Sequence, residues 1–82
     1  MRVTLLYFAA VRDLVGIASE EVDLPASVVT VGALGSWLEA RHEPLAGRLA
    51  SVRFALDEQF AGSDEALHDG AVVALIPPVA GG

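Results

Sequence analysis

Residues 71–76 read AVVALI, an unbroken apolar stretch of strand length held between a His68-Asp69-Gly70 turn signal and the prolines Pro77 and Pro78. A stretch this apolar does not belong at a wet sheet edge; it needs the centre of a sheet or cover on both faces. Pro77 ends it, because proline has no N–H to give to a ladder. The rest of the chain must therefore supply flanking strands and a covering layer. With 82 residues in all, it must do so within one domain.

A domain of this size has a small core and often leans on disulfides or a metal. This chain has no cysteine and two histidines, His42 and His68, so a 54% hydrophobic composition has to supply the cohesion. The lack of cysteine agrees with a reducing compartment and excludes thiol catalysis by the chain itself.

Arg2 to Phe8 mixes β-branched, aromatic and leucine residues as a strand buried on at least one face does. AAVRDLVG then places Val11, Leu14 and Val15 at helical spacing, with Gly16 positioned for a left-handed cap. Residues 18–24 are more polar and stop at Pro25, which fits an edge strand paired with the first. From Thr30, a candidate N-cap, TVGALGSWLEARHEP sets Val31, Leu34 and Leu38 on one face and stops at Pro44. This is the main helix. Gly32 and Gly35 inside it each cost up to about 1 kcal/mol against alanine, which close packing of helix on sheet would offset.

Leu45 and Leu49 form a one-turn pair, SVRFAL (51–56) alternates as a strand, DEQ turns, and a short strand forms around Phe60. The expected class is α+β: a mixed sheet of about five strands packed on one main helix, with a short extra helix after strand one. Residues 1–76 form the domain and 77–82 an extended C-terminal tail.

Eleven acidic residues against five arginines and no lysine give a net charge of −6. Scattered arginines make nucleic acid a poor partner, and a basic protein surface is the natural complement. No stretch approaches the roughly 18 apolar residues of a membrane span. The opening MRVTLLYFAAVRD lacks a small-residue cleavage site, and losing it would remove a core strand, so it is not read as a signal peptide. A cytoplasmic protein without membrane contact is expected.

The chain has no GxSxG elbow, Walker loop, HExxH or calcium loop. His42 falls at the end of the main helix and His68 in a turn, so both are expected exposed and no metal site is expected. Glu20–Glu21, Asp57–Glu58 and Asp64–Glu65 read as solvated pairs, not acid/base couples. Trp37 reads as core margin.

What remains is PPVAGG. Chain ends are commonly disordered. Here Pro77 and Pro78 favour an extended chain with little slack, and Gly81 and Gly82 remove every side chain from the tip. The result is a semi-rigid arm able to carry a terminal carboxylate into a narrow partner pocket, with no Cβ to obstruct the reacting carbon. A Gly-Gly end arises by chance on the order of one time in a hundred, so its weight comes from the absence of every other site.

Through LLYFAAVRDLVG, LHDG and ALIPPVAGG, essentially the whole chain resembles the ubiquitin-like β-grasp sulfur carriers, and within them the small subunits of molybdopterin synthases. The proline pair before Gly-Gly separates these from the thiamine-pathway carriers. The resemblance implies a sulfur-donor subunit with no cofactor of its own. An activating enzyme uses ATP and magnesium to adenylate the Gly82 carboxylate, which follows Gly81, and a sulfur donor makes it a thiocarboxylate. The large subunit, in a heterotetramer of two small and two large chains, then takes the sulfur to cyclic pyranopterin monophosphate. The partner-binding residues implied are Phe8, Phe60, Ile76, Pro77, Pro78, Val79 and Ala80. Plain core explains Phe8 and Ile76 as well as interface does, whereas Phe60, after a polar turn, is the better interface residue.

The chain departs from the family pattern at Asp57, where asparagine is usual, and at Ala71 and Val72, where two acidic residues are usual. The expected consequence is altered surface charge near the last strand. A carrier for thiamine or another thio-cofactor, a protein modifier, and a non-catalytic interaction module are the alternative readings.

Overall fold

The computed structural model describes residues 1–78; Val79, Ala80, Gly81 and Gly82, and with them the expected reactive tip, lie outside the described residues. Along the chain run β1 (Arg2–Tyr7), α1 (Ala9–Val15), β2 (Ser19–Asp23), α2 (Val31–Arg41), β3 (Arg53–Leu56), β4 (Gln59–Ala61) and β5 (Val72–Ile76), with 3-10 turns at Glu43–Leu45 and Leu49–Ser51. The sheet order is β2-β1-β5-β3-β4. β5 is parallel to β1 and antiparallel to β3, while β1–β2 and β3–β4 are antiparallel. AVVALI therefore supplies the central strand.

Side chains alternate across a strand, so β5 divides its apolar residues between two faces. Val73 and Leu75 are buried with Val3, Leu5 and Tyr7 of β1 and Val31, Leu34 and Leu38 of α2. Val72, Ala74 and Ile76 point the other way and stay partly or largely exposed. The run is central, but within this chain it is not covered on both faces.

Local signals set the helix ends. Gly16 takes φ +90° and its N–H donates to the Arg12 carbonyl at 2.8 Å, closing α1. Thr30 Oγ1 accepts from the Ala33 N–H at 3.2 Å, opening α2. Three expectations need correction. Phe8 lies just outside β1, as the residue preceding α1. Residues 49–51 turn before β3 begins at Arg53. Gly47, at φ +75°, separates Leu45 from Leu49, and each is buried in its own turn.

The two helix glycines have different neighbours. Gly32 donates its N–H to the Ser63 carbonyl at 2.8 Å, and a Cβ there would meet Ser63 at 3.0 Å, so the loop after β4 presses on the helix at this point. Gly35 faces Phe54 of β3, where a Cβ would sit at an ordinary 3.6 Å. Among the described residues no helix is long and apolar enough to cross a membrane.

Candidate functional site

With α2 on one side of the sheet, the other side is open, and its two halves differ in chemistry. On the β2 half, Arg2 lies 3.5 Å from Glu21 and 3.9 Å from Asp23. On the other half, Leu6, Phe8, Ala55, Phe60, Val72, Ala74 and Ile76 line one shallow apolar concavity with Glu58 at its rim. Phe60 is 59% exposed, Phe8 46% and Val72 37%. An apolar surface uncovered at the middle of a sheet marks an interaction site.

The expected partner-binding residues divide as follows. Phe8, Phe60 and Ile76 converge on this concavity, so Phe8 is not core and Ile76 is only partly buried. Pro77 and Pro78 continue from β5 along the α1 side, beside Leu14, Arg48 and Val52. Val79, Ala80, Gly81 and Gly82 lie outside the described residues. The concavity thus ends where the arm begins.

Charge around the site follows from three arrangements. Arg53 of β3 lies over the Phe60 ring, its guanidinium carbon 3.8 Å from the ring centroid. Asp57 and Glu58 take φ +49° and +71° in the two-residue β3–β4 turn, a left-handed pair that matches strand twist. The Asp57 carboxylate accepts from the Val72 N–H at 3.0 Å and lies 2.5 Å from His68 Nε2. The backbone bond from Val72, reinforced by His68, holds the Asp57 carboxyl below its ordinary range. The bond to Asp57 correspondingly raises His68. Asp57 is therefore a clamp between the hairpin and the entry to β5.

Ala71 is wholly buried, so only Val72 of the two family departures after the turn changes the surface. Two further expectations are overturned behind the sheet. The side chains of Glu20 and His42 are only 13% and 19% exposed, and His42 Nε2 lies 2.7 Å from Glu20 Oε2. Tyr7 donates to the same carboxylate and Arg41 to its other oxygen. Glu20 is thus a pinned anion, unlike exposed Glu21. Parity along β2 carried the signal: Glu20 shares a face with buried Val22.

One main helix and a short second helix on a mixed five-stranded sheet, with the central strand leading out beside an apolar open face, define a ubiquitin-like β-grasp protein. Residues 5–82 match the ThiS family, and the chain belongs to it. It is 37% identical to the molybdopterin synthase sulfur carrier subunit of Escherichia coli (strain K12) across 98% of this chain and 99% of that one. A solved structure from Pyrococcus furiosus, assigned as subunit 1 of a molybdopterin converting factor, superposes with a TM-score of 0.86 at 33% identity, covering 96% and 99% of the two chains. The same fold occurs in the complex of subunits 1 and 2 of the molybdopterin-converting factor from Helicobacter pylori, with a TM-score of 0.70 at 23% identity and full coverage of both chains.

Proposed function

We propose that the chain is the sulfur-carrying subunit of a molybdopterin synthase. An activating enzyme uses ATP and magnesium to convert the Gly82 carboxylate into an acyl-adenylate with release of pyrophosphate. A sulfur donor then displaces AMP to leave a thiocarboxylate. Adenylation makes a poor electrophile reactive, and the slim arm leaves its carbonyl carbon accessible. Inside the large subunit the thiocarboxylate gives its sulfur to cyclic pyranopterin monophosphate. Because a dithiolene holds two sulfurs, two charged carriers serve each product, in keeping with an assembly of two small and two large subunits.

The observation that carries this reading is the continuity of the uncovered apolar face with the strand that leads into Pro77. A partner seated on Phe8, Phe60 and Ile76 is placed to receive the arm, and binding energy gained at the face orients the tip. The full-length likeness to a molybdopterin synthase sulfur carrier subunit supports the choice of pathway.

The test is intact-mass measurement of the chain after incubation with ATP, an activating enzyme and a sulfur source. The expected product has one oxygen replaced by sulfur, and deletion of Gly82 abolishes that exchange. A chain that never gains sulfur rules out the carrier role. The thiocarboxylated chain is then mixed with the large subunit and the pterin precursor; absence of dithiolene product moves the carrier to another thio-cofactor pathway.

A further inference from the structure

The open sheet face carries two arginines in unlike settings. Arg2 is held by Glu21 and Asp23. Among the described residues Arg53 has no carboxylate within ion-pair distance, and its guanidinium lies on the ring of Phe60, the most exposed of the large apolar side chains. Arg53 is also the strand partner of Ile76, the last residue before Pro77. Glu58 lines the concavity alongside Phe60 and Val72. The rim of the apolar face is therefore polarised, with a cation at the root of the arm and an anion near the hairpin turn.

Stacking leaves the outer N–H edge of a guanidinium free and holds it in one orientation, so little further side-chain entropy is lost when a carboxylate docks. Among the described residues Arg12 and Arg48 also lack an ion pair, but of these three arginines only Arg53 is stacked on an aromatic ring. A charge beside a desolvated aromatic anchor also selects orientation as well as affinity.

We infer that Arg53 and Phe60 form one composite recognition element, and that the partner receiving the arm presents an aspartate or glutamate beside the entrance to its arm channel, against the Arg53 guanidinium. This rests on the carrier reading above and adds the chemistry of the partner surface. The carboxylate fixes which way the partner lies on the apolar face and so aims the arm into the channel. Arg53 is in this sense a positioning residue: it touches no reacting atom.

The test is calorimetric titration of the full-length chain into the purified molybdopterin synthase large subunit at low and at high salt. Arg53→Met keeps the apolar stem and removes the charge; it is expected to weaken binding about tenfold at low salt, with the deficit shrinking as salt screens the pair. Arg53→Lys keeps the salt dependence and loses the planar stack, so it falls between. Both variants should melt as the unmodified chain does, since Arg53 is exposed. Unchanged affinity for Arg53→Met, or a deficit of equal size at both salt concentrations, overturns the inference. Failure of the unmodified chain to bind the large subunit would instead strike at the carrier reading itself.

Discussion

The Tyr7 hydroxyl donates to Glu20 Oε2 at 2.5 Å, tying a ring that is 2% exposed on β1 to a carboxylate on the edge strand β2. Burial alone would push the Glu20 carboxyl up, yet the bonds from Tyr7, His42 and Arg41 outweigh it and leave the group below its ordinary 4.5. Burial, followed by the bond to Glu20, holds the Tyr7 hydroxyl protonated far above its usual range. Because the folded-state value of Glu20 is depressed, its contribution is present above the ordinary value and lost as pH falls through the folded one. Glu20→Gln should cost about 2 kcal/mol near neutral pH, as expected for charge-assisted bonds, and progressively less in acid. Chemical denaturation of both proteins across that range checks the sign.

Much of the fold is legible in sequence because its signals are local. AVVALI announces the central strand, Thr30 caps α2, Gly16 ends α1 and Pro25 limits β2. Phe60 reads as exposed because it follows a polar turn. What escapes reading depends on register or on distance. Glu20 and His42 are 22 positions apart, and only pairing of β1 with β2 beneath the end of α2 brings them together. Phe8 looks like the last residue of a strand, and its place on the open face follows from the start of α1 at Ala9. The Arg53–Phe60 stack requires the β3–β4 register, in which Ala55 faces Phe60.

The His68–Asp57 pair should give the protein a pH-dependent increment of stability. His68 is raised above its ordinary 6.5, so its contribution is complete below that value and disappears as pH rises through the folded one. Asp57 is lowered from 3.8, so its contribution is complete above that value and disappears as pH falls through the folded one. The increment is therefore greatest between 3.8 and 6.5. Asp57→Asn retains an acceptor for the Val72 N–H and removes the ion pair. Its melting midpoint should lie furthest below that of the unmodified chain inside this window and approach it in alkali; a constant offset at all pH values would refute the ion pair.

Gly32 and Gly35 should answer oppositely to the same substitution. Each gains up to about 1 kcal/mol of helix propensity on change to alanine. At Gly35 the new methyl meets Phe54 at 3.6 Å, so the gain should survive and the midpoint rise. At Gly32 it meets both the Ser63 side chain and the Ser63 backbone carbonyl at 3.0 Å, beside the 2.8 Å bond from the Gly32 N–H. Moving that carbonyl weakens the bond that ties the loop after β4 to the helix. Gly32→Ala should therefore lower the midpoint, and equal behaviour of the two variants in thermal denaturation would show that the Ser63 loop yields freely.

Phe60→Ala separates binding from folding. The side chain is 59% exposed and sits on a three-residue edge strand, so its removal should change stability by less than about 0.5 kcal/mol. In a docked complex the same ring would lie at the apolar centre, where truncation of an aromatic anchor commonly costs more than about 2 kcal/mol, roughly thirtyfold in affinity. Phe8→Ala removes a second ring from the same concavity and keeps the backbone carbonyl that accepts the first bonds of α1, from the Val11 and Arg12 N–H groups. A loss of large-subunit binding in Phe60→Ala with an unchanged midpoint places the docking surface on the open face. Binding that survives the substitution would transfer the recognition to the arm alone.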